Sequence, residues 1–371
     1  MLKKYLPFKL ALPLFFVLYA AGPIWAEESA EVVGRTIAIV NNEPIFFEEL
    51  NKEAEPFIER QKKLAPKEEN TPDKLLDIKR EILDKMVEEK LLLQEAKNKN
   101  LRVTKAEIEK GVAQFKEPFS VDEQGKPRTA IDTEKKFQEQ LTQEGMTQTQ
   151  FNERVKEQIM KVKLIEQDVK SKVEMPAESD VKAFYNKIKQ TLDGKTVAAK
   201  DSNEQAEIEQ VAKFLGRLIG EQIRIRHILA RATKAEGAAA RETAKTKIKD
   251  VQDKLTKGED FTFLAKKFSE DPISKDRGGD LGFLAKGDLG LPEIDETVFK
   301  LNEGQISGII ETDIGFHIVK LIEKRAPHPL DYDEVKEDLK NFIAQKSFTA
   351  NLEKYLKNLR AKASIKINPI N

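Results

Sequence analysis

Two of the three histidines in this 371-residue chain, His227 and His317, bracket the segment where side chains capable of chemistry gather. His227 stands in Arg226-His227-Ile228-Leu229 and His317 in Gly315-Phe316-His317-Ile318-Val319, each inside a short alternating stretch of the kind that builds a sheet. Between them lie Phe268-Ser269-Glu270-Asp271-Pro272 and the glycine stretch Gly278-Gly279-Asp280-Leu281-Gly282. A neutral imidazole donates from one ring nitrogen and accepts at the other, so two imidazoles and a carboxylate can orient neighbours and shape the field at a reacting group. A lone strand histidine is most often a satisfied core or edge residue. The second histidine and the glycine loop are what argue for function here. Asp271 before Pro272 would serve equally well as a turn residue. The glycine stretch has neither the lysine and hydroxyl of a phosphate loop nor the spacing of a dinucleotide loop, which excludes a nucleotide site. Three histidines without a cysteine leave little room for a transition metal, so no metal or other cofactor is expected.

The elements that must position these residues follow from periodicity. Residues 222–230 alternate as a strand with Ile223, Ile225, His227 and Leu229 on one parity. Helices are expected at about 237–256 and 260–268, a brief strand around 281–284, a helical turn or two at 292–299, and a closing antiparallel pair at 306–311 and 316–323. Upstream, 36–40 is a strand, Asn41-Asn42 a turn and 44–47 extended chain, followed by helical texture from Glu48. Helices are expected at 73–98, 105–116 (opened by the Thr104/Glu107 capping box), 132–143, from Thr147, at 180–188 and at 205–219. After the Ala326-Pro327-His328-Pro329 linker, a helix at 331–359 leads to a strand at 363–367. So short a strand cannot stand alone, and its economical partner is 36–40.

Residues 1–26 carry Lys3, Lys4 and Lys9, an apolar run from Leu10 to Ala20, and Ala26 before Glu27-Glu28. The run is too short to span a membrane comfortably and reads as a cleavable secretory signal peptide, leaving no stable membrane anchor and a periplasmic location. The signal has no cysteine for a lipid anchor. The balance of 64 basic and 64 acidic side chains, with no basic stripe, gives no reason to expect nucleic acid as a partner. An exported chain without cysteine must fold without disulfides.

In combination, Arg-His-Ile-Leu, Phe-Ser-x-Asp, Gly-Gly-Asp-Leu-Gly and Gly-Phe-His-Ile make residues 221–325 resemble a parvulin-type peptidyl-prolyl isomerase domain. The opening 37–47 with its helices resembles the N-terminal region of the SurA, PpiC and PrsA group of exported folding factors. The resemblance implies an α+β chain: a mostly helical chaperone domain built from both ends, with an inserted domain whose four-stranded sheet is flanked by helices. The expected boundaries are 1–26 signal, 27–190 helical domain, 191–220 connecting segment, 221–325 isomerase domain and 326–371 returning helix and strand. It further implies that His227, Asp271 and His317 are the catalytic set. Leu289, Leu291, Ile294, Phe299 and Phe316 would line or back a proline slot, and Gly278, Gly279 and Gly282 would shape the loop. The chain departs from the family pattern where a methionine and a phenylalanine are usual, offering Leu289 or Leu291 and Ile294. Implied partners are unfolded exported polypeptides containing X-Pro bonds, including outer-membrane precursors. The alternative is a non-catalytic holdase whose isomerase domain only binds peptides.

Overall fold

The computed structural model describes residues 34–64, 71–122 and 125–370, so the signal-peptide reading lies outside the described residues. The chain divides into two compact units, Met1–Ala177 with Asp338–Asn371, and Glu178–Glu337.

The first unit opens with β1 (Thr36–Val40) and β2 (Glu43–Phe46), an antiparallel hairpin. Asn41 makes the turn with a φ of 56°, a conformation that asparagine tolerates better than most residues. Five helices follow: α1 (Phe47–Leu64), α2 (Pro72–Asn98), α3 (Lys105–Lys116), α4 (Ala130–Gln143) and α5 (Gln148–Asp168). Their starts are set by side chains that accept orphan backbone N–H groups. Thr71 caps α2, and complete capping boxes open α3 (Thr104/Glu107) and α5 (Thr147/Gln150).

The second unit contains α6 (Glu178–Leu192), α7 (Ser202–Ile219), β3 (Gln222–Arg231), α8 (Ala238–Thr256), α9 (Phe261–Phe268), β4 (Asp280–Ala285), α10 (Pro292–Val298), β5 (Ile310–Thr312) and β6 (Gly315–Arg325). Its sheet is antiparallel throughout, in the order β4-β3-β6-β5. Side-chain alternation splits the sheet into two faces. Ile228, Ala230, Phe316 and Ile318 pack on one face with residues of α8 and α9. Ile223, Ile225, Val319 and Leu321 pack on the other with Ile294 and Val298 of α10. Nearly all of α6, through residue 190, is read from sequence with the N-terminal helices, but it falls in this unit. The Tyr185 hydroxyl donates to the Leu330 carbonyl at 2.6 Å, and its ring meets Tyr332 edge-on at 5.2 Å.

The chain then returns through α11 (Tyr332–Lys362) to β7 (Ile365–Ile367), which pairs antiparallel with β1 in the register Val40↔Ile365 and Ala38↔Ile367. The first unit is thus closed by strands from both ends of the sequence, as expected. Phe348 joins Leu92, Leu164 and Ile165 in a core, and Tyr355 donates to Asp168 at 2.8 Å. A separate core at α3, α4 and α5 is aromatic: Phe137 meets Phe151 edge-on at 5.0 Å, and Phe151 meets Phe115 likewise at 5.6 Å.

Candidate active site

β3 and β6 are paired with Leu229 opposite His317 and Val319 opposite His227, so both imidazoles share the face that carries Ile225 and Val319. They stack at 5.0 Å between centroids, and His227 Nε2 lies 2.7 Å from His317 Nδ1. His317 Nε2 in turn lies 2.7 Å from Thr312 Oγ1 on β5. At the other end, His227 Nδ1 faces Asp271 Oδ2 at 3.6 Å and has no hydrogen-bond partner. That separation exceeds a hydrogen bond, so the attraction acts through space. The result is one line of groups: Thr312, His317, His227, Asp271.

Asp271 reaches this line because the loop after α9 takes over from β4 along β3. Glu270 N donates to Leu229 O at 2.8 Å, Leu229 N donates to Ser269 Oγ at 3.2 Å, and Arg231 N donates to Glu270 Oε2 at 2.6 Å. The Asp271 carboxylate accepts from Ile273 N at 3.3 Å, Ser274 N at 3.2 Å and the Ser274 hydroxyl. The His227 imidazole beside it, aided by the Ser274 and Ile273 donors and opposed by desolvation, holds its carboxyl well below the usual carboxylate range. Asp271 is therefore an anion at neutral pH.

Burial pushes His317 down to about 3, reinforced by the neighbouring His227, which keeps it neutral. The tautomers follow. A lone pair on His227 Nδ1 would oppose the Asp271 anion, so Nδ1 carries the proton. In this arrangement His227 Nε2 accepts from His317 Nδ1–H, and His317 Nε2 accepts from the Thr312 hydroxyl. Every donor points toward the carboxylate. Both His317 nitrogens are engaged, leaving no lone pair for a metal.

The glycines allow the close approach. A Cβ on Gly279 (φ 82°) would sit 2.4 Å from the His227 carbonyl oxygen, and one on Gly278 (φ 65°) would sit 2.1 Å from Thr262 Cγ2. His227 N donates to Gly279 O at 2.8 Å, so the loop is pinned to the residue it positions. Gly282 (φ 76°) lies at the irregularity in the β3–β4 register, where Ile225 opposes Gly282 and Arg226 opposes Asp280.

Of the residues expected in the slot, Leu289, Leu291 and Phe299 are partly buried around the cluster on the histidine face. Ile294 belongs to that cluster but is 1% exposed, so it forms the floor beneath the others. Phe316 does not join them. Adjacent to His317 in a strand, it points to the opposite face, 3% exposed, with Arg241 over its ring at 4.9 Å. Sequence reading gave no role to Thr312, Ser269 or Ser274, and it did not place Leu281 in the slot, although Leu281 packs on the histidine face. Leu281 had a signal in its glycine motif. The hydroxyls had none beyond proximity to Asp271 and His317.

Residues 227–323 match the PPIC-type PPIASE domain family, and residues 3–165 match the SurA-like N-terminal domain family. The foldase protein PrsA of Clostridium acetobutylicum is 28% identical over 367 residues, spanning 96% of this chain and 95% of that protein. A parvulin-like PPIase of Rickettsia conorii is 34% identical over 163 residues, covering 43% of this chain and 52% of that protein. A crystal structure of a PpiC-type peptidyl-prolyl cis-trans isomerase domain is 30% identical, covering 30% of this chain and 97% of that one, with a TM-score of 0.27.

Proposed function

We propose, from the premise that this chain is a PrsA-type foldase, a PpiC-type peptidyl-prolyl cis-trans isomerase joined to a SurA-like domain, that it isomerises X-Pro bonds in unfolded exported polypeptides. The observation that carries the reading is the line from Thr312 through both histidines to an ionised Asp271. An X-Pro bond turns over in tens of seconds unaided, because resonance gives it double-bond character. That resonance places negative charge on the carbonyl oxygen. A carboxylate held close to this oxygen disfavours the planar form relative to the twisted one, where nitrogen keeps its lone pair. No bond to carbon need form. Leu281, Leu289, Leu291 and Phe299 offer apolar surface for the proline ring. His227 and His317 act as positioning residues: His317 is fully buried and reaches Asp271 only through His227, whose Nδ1 faces the carboxylate.

The location we propose is the periplasm, reached by a signal peptide at residues 1–26, with outer-membrane precursors among the clients. Among the described residues, no helix is long and apolar enough to cross a membrane. The holdase alternative draws on the buried Ile294 standing where the family usually has phenylalanine. One assay separates the two. The intact protein should accelerate isomerisation of an Ala-Pro tetrapeptide and suppress aggregation of an unfolded client, while His227→Ala loses only the first activity. Uncatalysed rates with intact aggregation suppression would leave the holdase.

A further inference from the structure

Leu289 and Leu291 of the slot sit on residues 286–291, the stretch that joins β4 to α10. A Cβ added at either of its glycines, Gly287 (φ 92°) or Gly290 (φ 64°), would meet nothing within 4 Å. Both glycines are left-handed and uncrowded. Apart from its two leucines, then, the stretch keeps its shape through polar ties, against the large backbone freedom that glycine brings.

Two carboxylates make those ties. Asp295, 7% exposed on α10, accepts from Gly287 N at 2.8 Å. Asp288 Oδ2 accepts from Ala285 N at 2.8 Å, and Asp288 N donates to Ala285 O at 3.1 Å, which closes a turn at the end of β4. The other oxygen, Asp288 Oδ1, accepts from the Arg217 guanidinium. Arg217 lies in the last turn of α7, ahead of residue 227 where the isomerase family match begins. α7 is itself anchored. It buries Ile208, Ala212 and Leu215, and its Glu204 pairs with Lys187 of α6 at 2.9 Å. Gln222 Nε2 donates to the Arg217 and Leu218 carbonyls at 3.3 Å, and His328 N donates to Ile219 O at 2.9 Å. Most surface ion pairs contribute little. This one differs because the Asp288 side chain is only 19% exposed, both its oxygens are engaged, and its cation stands on a packed helix.

We propose that Arg217 is a positioning residue for substrate binding: through Asp288, α7 holds residues 286–291, and with them Leu289 and Leu291, in the form that receives the proline ring. The proposal rests on the isomerase reading and gives that site a support from outside the matched domain. With the pair broken, a peptide must order the stretch as it binds, and that cost falls on affinity. The line from Thr312 to Asp271 is untouched, so rotation of the bound peptide proceeds as before. The signature is therefore a raised KM at constant kcat.

The test uses the full-length protein and the tetrapeptide Ala-Ala-Pro-Phe, with kcat and KM measured separately. Arg217→Ala should raise KM about fivefold, the upper end of what a partly exposed pair supplies, with kcat within about twofold of native. Arg217→Lys should recover most of that loss. Asp288→Asn, which keeps an acceptor for Ala285 N, should raise KM to the same degree, and the double variant Arg217→Ala with Asp288→Asn should add nothing further. Raising salt from about 0.05 M to about 1 M should move the native KM toward that of the variants and leave theirs level. An unchanged KM in Arg217→Ala overturns the proposal. So do additive effects in the double variant, and so does a lowered kcat at native KM, the mark of a smaller folded fraction. Absence of turnover by the native protein is the separate outcome that removes the isomerase reading, and this proposal with it.

Discussion

The two units use charge in opposite ways. In Glu178–Glu337 the groups that matter are few, buried and joined end to end, with His227, Asp271, Thr312 and His317 all under 9% exposed. In the first unit, charges are many and mostly solvated, as in Lys105–Glu109 with side chains 92% and 66% exposed. Pairs of that kind contribute little to stability. Its packing is divided among separate cores, aromatic at one end and aliphatic around β1. A buried line fixes one geometry, as catalysis of bond rotation requires. Long solvated helices over several small cores leave surface of the kind that the proposed holding of a variable client would need.

The sharpest way to break this contrast is to cut the line. His227→Ala or Asp271→Ala should lower isomerase kcat/KM by about 10²-fold in a peptide assay, a scale typical of removing one preorganised polar group. Aggregation suppression by the same variants should be unaltered. Equal loss of both activities would mean that the units do not divide the work.

Next in size is the glycine that lets the loop approach. Gly279→Ala places a methyl group 2.4 Å from the His227 carbonyl at a φ of 82°. It should destabilise the second unit by about 2 kcal/mol, read as a shift in its denaturant midpoint. A shift below a few tenths of that would show that the loop yields.

Acid should then pull the units in opposite directions. His317 is depressed to about 3 from an ordinary 6.5, so the unfolded chain binds more protons between those values. The second unit therefore loses about 1.4 kcal/mol per pH unit as pH falls from about 6.5 toward 3. Glu53, raised to about 7 from 4.5 by burial and by the nearby Glu89, has the reverse sign. Its proton is bound more tightly in the folded state, so the first unit gains stability as pH falls from 7 toward 4.5. Thermal melts of the intact protein across pH 4.5–6.5 should show the two transitions shifting in opposite directions with pH. His317→Gln should flatten one slope and Glu53→Gln the other. Parallel slopes would contradict the assignment.

The smallest effect tests the first unit's closure. Tyr355→Phe removes the hydroxyl that donates to Asp168, whose side chain is 10% exposed. About 1 kcal/mol should be lost from the first unit alone, by denaturant titration.

Much of this architecture was legible in the residues. Apolar spacing and capping boxes mark the helices because those signals are local, and the need of Ile365–Ile367 for a partner pointed to β1. Alternation marked β3 and β6 around His227 and His317. The same alternation, applied strictly, sends Phe316 to the face opposite His317. Its earlier grouping with the slot residues followed family likeness over strand geometry. Thr312, Ser269 and Ser274 were not legible, since a hydroxyl in a loop gains meaning only from what folds against it. α6 packs against its neighbour α7 within the second unit and is tied further by Tyr185 to a carbonyl 145 residues away, a contact that no local pattern encodes.

The pairing of β1 with β7 also sets a timetable. A polypeptide emerging N-terminus first presents β1 before β7, and residues 178–337 are complete in between. The unit of residues 178–337 can mature on a partly emerged chain, whereas the first unit closes only when β7 pairs with β1. Chains arrested before Ile365 should accordingly catalyse peptide isomerisation while lacking the first unit's protease resistance, and full resistance in such chains would refute the sequence of events. If the first unit is the part that holds clients, as proposed, holding capacity follows the β1–β7 pairing and so arrives after the unit of residues 178–337 has formed, which spares a half-emerged chain from being occupied by its own unfolded remainder.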